Sequence, residues 1–323
     1  MGRLRAGVRY NAPMERYSRR TFTVLAAGSV AGAAPGEAIP TRRLGRINFQ
    51  AGILGLGAQR IGEPSATQAI ADRVVGEAID NGLNYIDTAP TYNLSEERLG
   101  KALKGKRDKV FLVSKVQTLA RSDVLSQIRA SLHKLQTDHL DAVHIHNVGR
   151  DDRYPELRYM LRDEGTLGGL REAKKQGMIH HIGCTSHMRP ARTLAVFETS
   201  EFDLFMCTLN FVERHIYNYE ETVLPEARRR NIAVIGMKVL GGPVSGPGAR
   251  LMDPEDYNAT LRYAWSLPGV AVAIVGMRTP EEVRQGLAAA RAFQPLETSE
   301  LNRLLMRGKE MATAWGPLRG PVA

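Results

Sequence analysis

Apolar and β-branched residues along this chain gather in short runs, and between the runs apolar positions recur every three or four residues. The runs are GILGLG (52–57), NYIDT (84–88), VFLVSK (110–115), LDAVHIH (140–146), HHIGC (180–184), FDLFMCTLN (202–210), IAVIGMK (232–238) and VAVAIVG (270–276). Continuous apolar runs of this length are what parallel strands buried on both faces require. The stretches between them have helical spacing. Ile70, Val74 and Ala78 form one stripe over 67–81, which Gly82 ends in a left-handed turn. Ile128 and Leu132 do the same over 122–136, where Ser122 is placed to cap the helix. Eight strand-and-helix units predict an α/β fold of the TIM-barrel type, a closed (β/α)8 barrel. A doubly wound open sheet is the alternative, but GLGAQRIG lacks the GxGxxG spacing such a sheet uses. Residues 41–57 predict an N-terminal β-hairpin leading into the first run, and 297–312 an extra C-terminal helix. The long polar insertion at 147–167 follows the fourth run, where a barrel keeps a substrate loop. No linker interrupts 48–292, so the chain divides into a leader, 1–39, and one barrel domain, 40–323.

Composition supports a globular body: 43% of the 323 residues are apolar and 24% charged. The net charge of +10 suggests a polyanionic partner until its location is considered. The first 46 residues hold nine arginines against Glu15 and Glu37, a balance of +7 that leaves +3 for the rest. A near-neutral body with few aromatics gives no phosphate-tracking groove, and no nucleic-acid partner is expected. Within that basic front, Arg19 and Arg20 precede Phe22 and an apolar run from Val24 to Ala34, with AGA at 31–33 as a cleavage site. This resembles a twin-arginine signal, so export by that route to the periplasm or cell envelope is expected. A cytoplasmic protein with an untargeted basic leader is the alternative. The run is too short for a stable membrane span. Cys184 and Cys207 are the two cysteines, too few for a zinc constellation or disulfide framework, and no metal site is expected.

A barrel of this kind gathers its reactive groups at the carboxyl ends of its strands. There the chain places Asp87 and Tyr92 after the second run, Lys115 at the third, His146 at the fourth, Thr185 and Ser186 at the fifth, Asn210 at the sixth and Lys238 at the seventh. The first four suit delivery of a proton to a carbonyl oxygen. A free tyrosine has a pKa of about 10, and a neighbouring Lys115 ammonium would lower it. Asp87 would hold that ammonium, and His146 would bond the substrate oxygen. No side chain donates hydride, so a cofactor is required.

DTAPTYNLSEERLG (87–100) resembles the D-T-A-x-x-Y-G-x-S-E-x-x-L-G signature of the aldo-keto reductase superfamily, and VSK and LDAVHIH are similar to its lysine and histidine strands. The resemblance runs from about 41 to 292 and implies the same barrel. It implies Tyr92 as general acid, Lys115 and Asp87 as its tuning pair, and His146 as the substrate-orienting group. The cofactor it implies is NADPH/NADP+, with NADH less favoured. Thr185 and Ser186 stand for a Ser-Asn pair on the carboxamide, Asn210 matches a sixth-strand asparagine, and Lys238 lies beside them. In IVGMRTPEEVRQG, Gly276, Arg278, Thr279 and Glu282 are the expected adenosine-phosphate contacts, Arg278 suiting a 2′-phosphate. Four positions depart from the pattern: Asn93 for a glycine, Met206 for a glutamine, Met237 for an aromatic residue and Gly286 for an asparagine. The leading expectation is an NADPH-dependent oxidoreductase acting on a small carbonyl or polyol substrate. A nicotinamide-binding sensor or regulatory subunit on the same barrel is the alternative, and a hydrolase or lyase without redox chemistry is a third reading.

Overall fold

The computed structural model describes residues 38–242, 251 and 253–323, so all but the last two positions of the expected leader lie outside the described residues. Eight parallel strands close into a barrel in chain order. They are β1 (Leu54–Gly57), β2 (Tyr85–Asp87), β3 (Phe111–Val116), β4 (Leu140–Ile145), β5 (Ile179–Ser186), β6 (Leu204–Thr208), β7 (Ala233–Met237) and β8 (Val270–Val275). Each is followed by a helix: α1 (Gln68–Asp80), α2 (Ser95–Ala102), α3 (Arg121–Leu135), α4 (Thr166–Lys175), α5 (Pro190–Phe197), α6 (Leu224–Arg229), α7 (Pro254–Ser266) and α8 (Pro280–Arg291). The ring closes where Ala273 and Val275 of β8 pair with Leu54 and Leu56 of β1. The expected (β/α)8 barrel is therefore the observed one.

Local chemistry explains where the helices begin and end. Thr67 caps α1 by accepting from the Ile70 amide at 3.2 Å, and Gly82 takes φ 89° beyond its end. α3 begins one residue earlier than its spacing predicts, and Ser122 does not cap it. The Arg121 amide instead donates to the Glu164 carbonyl at 2.9 Å, so an acceptor from the insertion does what a capping side chain would do.

Two apolar layers divide the strands. Ile86, Leu112, Val143 and Ile182 face the helices. Tyr85, Phe111, Val113, Ile235 and Val272 fill the barrel interior, and Leu44 and Ile47 join them. These last two come from the N-terminal hairpin, whose arms Thr41–Arg43 and Gln50–Gly52 pair antiparallel. Phe49 adds a ring 5.1 Å from that of Phe111. The hairpin thus plugs the amino end of the barrel with side chains, and the carboxyl end is left to open outward.

The extra helix, Thr298–Trp315, starts with a reciprocal cap between Glu297 and Glu300. Its Trp315 packs with Phe211, Val212 and Tyr263. Beyond it the chain returns to the carboxyl face. Arg319 forms a buried ion pair with Glu213 at 2.6 Å and donates to the Gly242 carbonyl, and the Tyr217 hydroxyl donates to the Gly320 carbonyl. No helix among the described residues is long and apolar enough to cross a membrane.

Candidate active site

β2 ends at Asp87, and the chain turns through 88–94 before α2. Thr88 Oγ1 lies 2.8 Å from Ser95 Oγ, which donates to the Ala58 carbonyl at 2.9 Å, so the two ends of this loop are tied together. Asn93 adopts φ 48°, a left-handed conformation that asparagine tolerates, and the turn survives loss of the family glycine. Gly62 backs the loop so closely that a Cβ there would lie 2.1 Å from the Tyr92 carbonyl oxygen. These constraints hold the Tyr92 side chain at the mouth of a cleft.

Lys115 reaches this loop from β3. Its Nζ donates to Asp87 Oδ1 at 2.6 Å and to the Thr88 carbonyl at 2.7 Å, and lies 4.8 Å from the centre of the Tyr92 ring. Both members of the ion pair are sealed from solvent. Burial pulls the Lys115 pKa down; Asp87 first, then Tyr92, more than offset this and hold it above its ordinary value. The tyrosine departs from the expectation of a lowered pKa. Loss of water raises Tyr92 above 10, and the opposing pull of Lys115 is the smaller effect. The phenol therefore keeps its proton firmly, and the lysine limits the rise.

His146 lies one residue beyond β4, and its ring meets that of Tyr92 edge-on with centroids 6.3 Å apart. Its Nδ1 is 2.8 Å from Gln117 Nε2, which also reaches Thr91 Oγ1 at 3.1 Å. An amide nitrogen only donates, so Nδ1 accepts and the ring proton sits on Nε2. Burial first, and then the Lys115 charge, keep His146 neutral, well below its ordinary value. Sequence reasoning missed Gln117. The one signal for it is strand alternation, which places it two residues past Lys115 on the same side.

From these groups a cleft crosses the carboxyl face toward α8. Of the expected cofactor contacts, Lys238, Gly276, Arg278 and Glu282 line it, as do Met206, Met237 and His187. Burial first, and then repulsion by Arg319, push Lys238 down to about 8. Other expected contacts are engaged within the protein. Ser186 Oγ donates to the Met188 carbonyl at 2.9 Å. Asn210 accepts from the amides of Val212 and Glu213 and donates to the Lys238 carbonyl at 3.1 Å. Thr279 caps α8 through the Glu282 amide. Thr185 Oγ1 is buried with no hydrogen-bond partner, and the residue is not among those that line the cleft.

At the far end of the cleft, Glu63 joins Arg60 at 2.6 Å and Arg278 at 3.5 Å. Two guanidiniums meeting at one carboxylate form a fork suited to phosphate. Arg60 lies on the short helix Gln59–Gly62 after β1 and carries no motif that sequence reading could have used.

A barrel plugged at one end, with a phenol, a buried ammonium and a neutral imidazole at the other, opening on a cleft with two arginines at its far end, has the architecture of a proton-delivering oxidoreductase. Residues 53–247 match the sequence profile of the aldo/keto reductase family. The chain belongs to that family and is an NAD(P)H-dependent oxidoreductase. It is 24% identical over 318 residues to the uncharacterized oxidoreductase YqkF of Bacillus subtilis (strain 168), covering 83% of this chain and 96% of the relative. Among solved structures it is similar to aldo-keto reductase AKR11C1 from Bacillus halodurans in its holo form (TM-score 0.69, 24% identity, 84% of this chain and 96% of the other). It is also similar to an aldo-keto reductase from Klebsiella pneumoniae in complex with NADPH (TM-score 0.66, 23% identity, 83% and 94%). At these identities the structural likenesses speak for the barrel.

Proposed function

We propose that the cleft binds NADPH and that the chain reduces a small aldehyde or ketone, or oxidises the corresponding alcohol or sugar. The observation that carries this reading is the position of Lys115 Nζ, 4.8 Å from the ring of Tyr92, which lines a cleft that continues to Arg60 and Arg278. When bound, NADPH supplies hydride to the carbonyl carbon. Tyr92 gives its phenolic proton to the carbonyl oxygen, and the adjacent ammonium stabilises the phenolate this leaves. Asp87 keeps Lys115 charged and in place, and His146 directs its Nε2–H to the same oxygen. Met206 and Met237 provide an apolar wall and cannot replace the hydrogen bond of a glutamine. Arg60 and Arg278 are positioned to exchange Glu63 for a 2′-phosphate, which supports NADPH over NADH.

The test is turnover of NADPH against a panel of carbonyls and sugars by Tyr92→Phe. Loss of the proton donor is expected to lower kcat by about 10²–10⁴-fold while NADPH affinity holds. Equal rates in variant and parent overturn the acid assignment, and NADPH binding without turnover by the parent points to a sensor.

We also propose that the leader acts as a twin-arginine signal, on the strength of Arg19, Arg20 and the apolar run that follows. Free NADPH is not expected outside the cytoplasm, so an exported enzyme would carry its cofactor and recycle it between two substrates. Cell fractionation with sequencing of the mature amino terminus tests this; a cytoplasmic protein with an intact leader overturns it.

A further inference from the structure

We propose a divalent transition-metal site at the amino ends of β4 and β5, formed by His139, Asp141 and His180, at the end of the barrel opposite the cleft. In the β4–β5 register, Leu140 pairs with Ile179 and Ala142 with His181. Asp141 and His180 therefore stand side by side. Ala142 belongs to the barrel interior, so alternation sends its neighbours Asp141 and His180 to the outer face, and His139 falls on that face two residues earlier. The rings of His139 and His180 have centroids 4.6 Å apart and are inclined by 27°. One donor atom from each of the three residues lies within 4.8 Å of the other two. Two imidazoles and a carboxylate suit zinc, cobalt, nickel or copper; magnesium and calcium prefer oxygen ligands.

Two of the ligands are oriented by neighbours that leave a donor atom open. His139 Nδ1 lies 2.7 Å from Asp138 Oδ1. The ionised carboxylate only accepts, so Nδ1 carries the proton and Nε2 keeps its lone pair, the carboxylate–histidine arrangement common behind metal ligands. Asp141 Oδ2 accepts from the Leu112 amide and from Arg107 Nη2, both at 2.8 Å, which directs the carboxylate and leaves Oδ1 available. Arg107 is itself anchored on the Val110 and His139 carbonyls, and its charge tempers the affinity. His180 is exposed, so an ion can enter the folded protein. Three protein donors leave a coordination position for water or for a donor from a second molecule.

Tag-free, chelator-stripped full chain, titrated with cobalt chloride by visible absorption and with zinc chloride by calorimetry, tests the site. One ion per chain is expected. His180→Ala abolishes binding, Asp138→Asn weakens it about tenfold through the lost orienting bond, and both keep the NADPH-linked activity of the parent. Binding well below one equivalent, or equal affinity in the parent and both variants, overturns the proposal. Cys184 and Cys207 are buried and do not compete. If His180→Ala is unfolded by circular dichroism, the surface substitution Asp138→Asn decides: unchanged affinity overturns the site.

Discussion

Gln117 Nε2 and His146 Nδ1 lie 2.8 Å apart, and that one contact decides which nitrogen of the imidazole carries its proton. Gln117→Leu frees the ring to populate the other tautomer. We expect kcat to fall about tenfold, equivalent to roughly 1.4 kcal/mol of barrier, while NADPH affinity changes little. Gln117→Glu introduces a carboxylate that favours imidazolium, so the acid limb of the kcat/KM profile moves to higher pH. Parent-like kinetics in Gln117→Leu would show that the contact only packs the loop.

The Lys115–Asp87 pair is sealed, so removing one partner strands the other. Lys115→Met should cost about 3–5 kcal/mol of unfolding free energy in urea titrations. The double variant Lys115→Met with Asp87→Leu should regain part of that loss, though both abolish turnover. A single variant as stable as the parent would mean that water reaches the pair.

Glu63 occupies the fork between Arg60 and Arg278. Glu63→Gln removes the internal competitor for phosphate, and NADPH should bind several-fold more tightly with NADH hardly affected. Arg278→Ala should weaken NADPH by about tenfold and NADH much less, since a charge-assisted bidentate bond is lost only with the former. Kd values for both cofactors, from quenching of protein fluorescence, check the pair of expectations.

Burial first, and then Arg319, hold the Lys238 ammonium down to about 8, against 10.5 for the free side chain. Its charged form favours an anionic cofactor, so NADPH affinity should fall as pH rises through about 8, by at most about tenfold per pH unit while the group loses its proton. Folding stability has the opposite sign. Between about 8 and 10.5 the unfolded chain binds a proton that the folded chain has released, so this residue's contribution to unfolding free energy rises with pH. Lys238→Met should flatten both profiles, read by cofactor titration and thermal melts from neutral to alkaline pH.

Gly62 and the Tyr92 carbonyl allow no intervening methyl group. Gly62→Ala must shift the loop, and misplacement on the order of 1 Å should cost about 10²-fold in kcat. Parent-like turnover, or a crystal structure with Tyr92 unmoved, would show that the helix Gln59–Gly62 yields instead.

What sequence could and could not disclose follows from the range of each interaction. Buried parallel strands declare themselves because both faces need apolar residues, and the residues ending them, Asp87, Lys115 and His146, interrupt that pattern visibly. Gly82 is legible as a helix stop because the left-handed turn it makes belongs to its own backbone. Ser122 misled because the Glu164 carbonyl, far along the chain, satisfies the helix instead. The same holds for Glu63 with Arg278 and for Arg319 with Glu213: nothing local marks either pair. The Tyr92 shift was misjudged because a neighbouring charge can be read from a motif, whereas the depth of burial opposing it belongs to the folded molecule.

The return of residues 319–323 to the carboxyl face has a consequence in time. Synthesis runs from the amino end, so Glu213, Tyr217 and Arg189 must wait for Arg319, Gly320 and Ala323 to leave the ribosome before they meet their partners. The leader, by contrast, emerges first. If it directs export of a folded, loaded enzyme, the address becomes readable long before the cleft wall is complete, and the cell must delay reading it until cofactor is aboard.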